Sequence, residues 1–171
     1  VYKKSTKKIL ESSELGPSNL YGVTKLSQEL LIKQATKLGI IKSIIFRASN
    51  IYGEGHRINH NSTIATFCHR IKRKKELTLI ANGEATMDII YLDDVIDVLT
   101  KVEDINSKNG QVYNLASGVS NSVNDIVRNL EKISGLNVKI KKIGGEKKEF
   151  EISIDKLKNV LPKWTQCSVY E

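Results

Sequence analysis

Apolar residues recur at three- and four-residue intervals along Leu20, Val23, Leu26, Leu30, Leu31, Ala35 and Leu38. This is the spacing of one face of an α-helix. The pattern predicts a long amphipathic helix over 18–38, opened by the Gly16-Pro17-Ser18-Asn19 turn and closed by Gly39 as its left-handed C-terminal residue. Residues 1–17 read as loop. The β-branched, apolar stretch 42–47 predicts a buried strand. A loop with two glycines follows over 49–60, then a helix over 64–75 and a short strand over 77–80. Asn82-Gly83 marks a turn, 88–91 a short strand, 93–102 a helix and 111–115 a further strand. Ser122 is placed to cap a helix running to Ser134, with Gly135 at its end. A strand over 138–143 and a last short helix over 156–161, begun near Asp155, complete the pattern. Strands and helices alternate, which argues for α/β architecture with some parallel pairing. Fold class by itself gives no function.

Composition narrows the setting. The chain has 171 residues, 40% of them hydrophobic, enough for one compact domain with a real core. Its longest apolar runs are too short to span a bilayer, so no membrane partner is expected. Val1-Tyr2-Lys3-Lys4 lacks the apolar stretch of a leader and an initiator Met, so the numbering need not begin at the natural start. Cys68 and Cys167 form no CxxC pair and read as buried or incidental thiols in a reducing compartment, which favours the cytoplasm. His56 and His60 lie four apart but without a cysteine or carboxylate cluster, so no metal site is expected.

Net charge is +8, densest at Arg70-Ile71-Lys72-Arg73-Lys74-Lys75. The run fits either a nucleic-acid surface or a solvated helix face. The absence of interleaved aromatic residues favours the solvated face, and no nucleic-acid partner is expected. A basic surface does attract anionic small molecules.

Tyr21 and Lys25 are four apart on the first predicted helix, hence on one face and about a turn apart. A phenol, with its ordinary pKa near ~10, is a poor base at neutral pH. A neighbouring ammonium favours the phenolate, which can then take a proton from a hydroxyl group. The spacing alone is a weak signal, since Tyr and Lys are common surface residues. Its surroundings strengthen it. Pro17-Ser18-Asn19-Leu20-Tyr21-Gly22-Val23-Thr24-Lys25 resembles the catalytic helix entry of the extended short-chain dehydrogenase/reductase family. Phe46-Arg47-Ala48-Ser49-Asn50-Ile51-Tyr52-Gly53 resembles the strand and loop that follow it there. The segment Asn82 to Val95, then Val112-Tyr113-Asn114-Leu115-Ala116-Ser117-Gly118 with Ser122-Val123, then Leu161-Pro162-Lys163-Trp164, resemble later signatures. The five segments occur in the family's order across nearly the whole chain.

The resemblance implies the C-terminal part of a Rossmann-like doubly wound sheet plus a smaller mixed α/β substrate-binding lobe. Residues 1–60 would be the remnant of the NAD-binding domain and 61–171 mainly the lobe, with 88–115 returning to the sheet. It implies NAD, in preference to NADP, as cofactor. The substrate would be a nucleotide-diphosphate sugar, epimerised through a keto-sugar; a 4,6-dehydratase or reductase of the same family and a non-catalytic member of the fold are the alternatives. Tyr21 would be the acid/base, and Lys25 would bind the nicotinamide ribose and tune the tyrosine. Ser49 would face the nicotinamide end through its backbone. Asn50 would bind the diphosphate, against the plainer reading of a loop residue satisfying its own backbone. Asn61, Ser62 and Thr63 would make further substrate contacts, and the backbone of Thr78, Leu79 and Ile80 would line the base. A homodimer built on the Tyr–Lys helix is also implied.

Several residues have plainer roles. Asp93 and Asp94 suit a helix start, Arg47 helps hold the loop after it, and Trp164 belongs to the core. Lys3 stands where the family has Gly after Tyr2. Met87 stands where sugar-nucleotide members typically carry Arg against the diphosphate. The segment 144–150 lacks a second such Arg, for which Lys147 or Lys148 are the available point charges. No G-x-x-G-x-x-G follows an opening strand; that turn holds the dinucleotide pyrophosphate. The 171 residues alone are therefore expected neither to bind NAD tightly nor to turn over.

Overall fold

The structure, a computed structural model, describes residues 1–3, 8–56, 62–105, 109–147, 149 and 151–167. Asn61, His60 and Lys148, to which the sequence assigns candidate roles, lie outside the described residues.

Helix α1 spans Leu20–Lys37. It starts two residues later than the expected 18, with Asn19 of the opening turn as its N-cap, and the Asn19 side chain accepts from the Gly22 backbone N–H. At the other end Gly39, at φ +74°, allows the Gly39 N–H to reach Thr36 and the Ile40 N–H to reach Ala35, which satisfies the last carbonyls. The leucines that define its sequence pattern are not its buried side. Leu20 and Leu31 are 84% and 70% exposed, and the buried residues are Gly22 and Glu29. Among the described residues no second layer covers the leucine face, so α1 is held through polar contacts instead.

Strands β1 (Ile44–Ala48) and β2 (Asn50–Tyr52) form one run interrupted at Ser49. The expected 49–60 loop thus contains a strand. β1 pairs in parallel with β6 (Gln111–Leu115), Ile44 opposite Gln111 and Ala48 opposite Leu115. β2 pairs in parallel with β5 (Ile89–Tyr91), Asn50 opposite Ile89. Between β2 and β5 come α2 (Thr63–Lys72), β3 (Leu77–Leu79) and β4 (Thr86–Met87). After β5 the chain forms α3 (Leu92–Thr100), and after β6 come β7 (Asn121–Ser122), α4 (Val123–Ser134), β8 (Ile140–Lys142) and α5 (Asp155–Val160). β3 pairs in parallel with β8, and β4 antiparallel with β7. The expected strand over 77–80 ends at Leu79, because Ala81 and Asn82 turn to φ +50° and +55° and break the extended chain.

Two hydrophobic cores follow. The first packs Ile90, Val98, Tyr113, Leu115, Leu157 and Trp164, with Phe46 and Ile51 against them. The second packs Ile71, Leu77, Leu79, Val123, Val127 and Val138, with Phe67, Met87 and Leu130. Residues 152–164 therefore return to the first core after β8 has paired in the second. In the basic run, Ile71 alone turns inward while its lysines and arginines are exposed. Cys68 and Cys167 are both exposed, not buried. Among the described residues no helix is long and apolar enough to cross a membrane.

Candidate active site

Tyr21 lies in the first turn of α1 and is 63% exposed. The Lys25 Nζ stands 5.6 Å from its ring centroid and donates to Gln28 Oε1 at 3.2 Å. The phenol and ammonium thus share one open face. Gly22 is what lets the chain enter the helix here: a Cβ at this position would lie 2.9 Å from Pro17 Cβ.

Two turns further on, Glu29 locks α1 to β1. Arg47 Nε and Nη2 donate to the two Glu29 carboxyl oxygens at 2.9 and 2.6 Å, with both side chains almost fully buried. This is the fork-to-fork geometry that favours Arg over Lys. Arg47 Nη1 donates to the Tyr2 hydroxyl at 2.8 Å and to the Glu11 carbonyl at 2.9 Å. Arg47 therefore holds α1 and the N-terminal segment rather than the loop after it. The Arg47 hydrogen bonds pull the Glu29 carboxyl down to about 2, burial opposing and Lys33 assisting. Burial works against the Arg47 charge, but its bonds with Glu29 and Tyr2 outweigh it and raise its pKa. Burial pushes the Tyr2 phenol up, against the pull of Arg47.

β1 then delivers Ser49 and Asn50 at the point where the strand changes partner. The Ser49 N–H donates to the Leu115 carbonyl at 2.9 Å and its hydroxyl to Asp88 Oδ1 at 2.7 Å. The Asn50 N–H and Nδ2 both donate to the Asp88 carbonyl, at 3.3 and 2.9 Å. One of the two Asn50 amide hydrogens is thereby used within the fold, which leaves the other for a ligand.

Asn50, Ser62, Thr63 and Met87 line one narrow crevice with Ile51, Tyr52, Ile64 and Ile89. Three of the residues expected to face substrate are brought together here, at the N-terminus of α2. Ser62 is the cap of that helix, its Oγ accepting from the Ala65 N–H at 3.3 Å, and Thr63 is its first residue. The crevice adjoins a cavity of about 360 Å³, whose lining includes Tyr52, Ser62, Ile64 and Ile89. Thr78, Leu79 and Ile80 do not line the crevice. Thr78 is exposed, Leu79 is buried in the second core with its carbonyl accepting from the Ile143 N–H, and Ile80 is exposed and outside the strand, against Gly145. Met87 packs on the second core. Lys147 is taken up by Glu149 at 2.7 Å, a bond that also raises its pKa. Asp93 and Asp94 open α3, and Asp94 accepts from the Cys167 N–H.

Two polar residues central to this arrangement carry no role in the sequence reading. Asp88 is 2% exposed and Asn114 fully buried. Asn114 Nδ2 donates to the Ile9 and Ser153 carbonyls, and its Oδ1 accepts from the Tyr2 hydroxyl. The available signal was a lone polar residue beside or within an apolar strand run, which must find partners when buried.

Parallel strands alternating with helices, and a crevice beside the point where the run 44–52 changes partner, mark an α/β protein of the kind that binds ligands where strand partners diverge. The chain belongs to the NAD dependent epimerase/dehydratase family, whose model matches residues 1–116. It is similar to an uncharacterised UDP-glucose epimerase from Bacillus subtilis, 29% identical over 167 residues, or 94% of this chain and 51% of that protein. A dTDP-D-glucose 4,6-dehydratase from Dictyostelium discoideum is 29% identical over 127 residues, or 72% of this chain and 28% of that protein. The solved UDP-glucuronic acid 4-epimerase from Bacillus cereus, in complex with UDP-glucuronic acid and NAD, superposes with a TM-score of 0.88 at 28% identity, covering 99% of this chain and 55% of that one. The chain spans about half the length of the Bacillus relatives.

Proposed function

We propose that the whole protein is an NAD-dependent enzyme that epimerises the sugar of a nucleotide-diphosphate sugar through a keto-sugar intermediate, and that this chain supplies its acid/base and much of its substrate contact. The observation that carries the reading is the open Tyr21–Lys25 pair on a helix locked by Glu29 and Arg47 to the strand that delivers Ser49 and Asn50. The B. cereus relative, an epimerase bound to NAD and a nucleotide sugar, supports it.

The exposed phenol and ammonium fit the nicotinamide ribose, since Lys25 offers donors to hydroxyl groups and none of the described residues shields the pair from a ligand. NAD, when bound, supplies the acceptor and donor of hydride. Tyr21 takes the proton of the sugar hydroxyl at its phenolic oxygen and returns it once the opposite face has been reduced. Lys25 holds the ribose and steadies the phenolate. The Ser49 N–H and hydroxyl are already used inside the fold, so its contact to the cofactor runs through its carbonyl oxygen. The second Asn50 amide hydrogen, the Ser62 hydroxyl and the first N–H groups of α2 form an anion-binding end for the diphosphate. Asn61 is assigned to the same substrate contact, and Thr78, Leu79 and Ile80 to the nucleotide base.

Residues 1–60 are assigned to the cofactor domain and 61–171 mainly to the substrate lobe, with 88–115 in the cofactor domain's sheet. The leucine face of α1 is assigned to a homodimer contact, and the protein to the cytoplasm. Met87, packed against the second core and lining the crevice, supplies no cation to the diphosphate, and this favours the alternative of a non-catalytic member. Replacing Tyr21 by Phe in the full-length protein separates the two. The expected result is a kcat lower by roughly 10²–10⁴ with KM nearly unchanged, the usual size of a general acid/base contribution. Undiminished turnover of the nucleotide sugar would refute the assignment of the base.

A further inference from the structure

We infer that Asp88 is a positioning residue of this site, the single group that fixes Ser49 and Asn50 relative to the turn after β6. The inference rests on the enzymatic reading above. The run 44–52 leaves β6 and joins β5 at Ser49 and Asn50. Where two parallel partners separate, backbone groups lose their ladder and the chain loses its rigidity. Asp88 fills that gap from both ends. Its carbonyl accepts from both Asn50 donors. Its Oδ1 accepts from the Ser49 hydroxyl at 2.7 Å and from the Ser117 N–H at 2.8 Å, and its Oδ2 from the Gly118 N–H at 2.7 Å.

The three donors to the carboxylate, one hydroxyl and two backbone N–H groups, come from both sides of the divergence, and Asp88 is 2% exposed, which keeps water from replacing a lost bond. Gly118, at φ +70°, turns its N–H toward the Asp88 carboxyl. All three donors demand an acceptor. A side-chain amide of the same shape must therefore aim an N–H at one of them. Asp88 touches neither a reacting atom nor, by this geometry, a ligand; it acts through Ser49 and Asn50.

The test uses the full-length protein with UDP-glucose and UDP-glucuronic acid as probe substrates. Asp88→Asn, Ser49→Ala and the double variant are assayed well below each melting temperature, with the folded fraction measured. Asp88→Asn is expected to lower kcat about tenfold with KM for the nucleotide sugar within twofold, because the lost hold falls on the cofactor side of the site. Ser49→Ala removes the Asp88 Oδ1 bond from its other end and is expected to lower kcat in the same direction. In the double variant the two losses should not multiply. A folded Asp88→Asn protein with kcat within twofold of wild type, or losses that multiply, overturns the inference. Should Asp88→Asn not fold, Ser49→Ala decides: unchanged kcat overturns it, a loss of about tenfold supports it. A wild type with no nucleotide-sugar turnover overturns the enzymatic reading and this inference with it. A normal wild type beside an unaffected Asp88→Asn protein overturns only the role of Asp88.

Discussion

Replacing Arg47 by Met should destabilise the protein by about 3 kcal/mol. Met preserves most of the buried aliphatic stem, so the loss isolates the charge and its hydrogen bonds. The Glu29 carboxyl lies at about 2 instead of its ordinary 4.5. At ~1.4 kcal/mol per tenfold change in proton affinity, this corresponds to about 3 kcal/mol favouring the folded charged form. Glu29 and Arg47 are 6% and 8% exposed, so solvent screens the pair little. Part of the pull belongs to Lys33, 2.6 Å away and 38% exposed, and survives the substitution. That share lowers the figure to about 2 kcal/mol. The carboxylate left buried with a poorer partner returns it to about 3 kcal/mol, the low end for breaking a buried pair. In a chain of 171 residues this is a fall in Tm of roughly 6–12 °C.

The pH dependence gives a second, independent check. A carboxyl whose folded pKa lies below its unfolded one stabilises above the unfolded value and loses that contribution as pH falls. Wild-type stability should therefore decline between about pH 4.5 and pH 2 by an extra amount on the order of 3 kcal/mol. Urea unfolding at a series of pH values reads it directly, and Glu29→Gln should flatten that acid limb. A midpoint loss below about 1 kcal/mol in Arg47→Met, or an equally steep acid limb in Glu29→Gln, would refute the reasoning.

Two further substitutions probe the polar interior. Asn114→Ala should cost about 3 kcal/mol in chemical denaturation, because at a fully buried position it removes the donor to the Ser153 carbonyl, one of the two donors to the Ile9 carbonyl and the acceptor of the Tyr2 hydroxyl; a loss under 1 kcal/mol would mean water reaches these groups. Gly118→Ala should lower stability by about 1–2 kcal/mol, read as a drop in Tm, since it places a side chain at φ +70° with its Cβ 3.1 Å from Ile154 carbons; an unchanged Tm would contradict the conformation.

What the sequence made legible was local. The helix from Ser122 to Gly135 is bounded as its residues predict, because a cap acts on the next three residues and a left-handed glycine on the last turn. The strand over 111–115 stands where its apolar run puts it. β2 was hidden in a loop because its pairing with β5 depends on residues far along the chain. The α1 leucines follow a core pattern but remain exposed, since periodicity marks a face without saying what covers it. Within the site, Tyr21 and Lys25 were visible only through the ordered motifs around them. Asp88, Asn114 and the Glu29 partner of Arg47 were not, because each is defined by a partner 18 or more positions away, which no local rule reaches.

The run 44–52 exchanges β6 for β5 without a break in direction, while β3 pairs with β8 and β4 with β7. The ladders that carry Ser49 and Asn50 are thus separate from those that shape the second core. Changes of sequence in the second core can therefore leave the register of the strands that carry Ser49 and Asn50 untouched. Met87, which packs against the second core and also lines the crevice beside Asn50, stands where the two sets of ladders meet, so a substitution there can reshape the crevice wall without shifting either ladder.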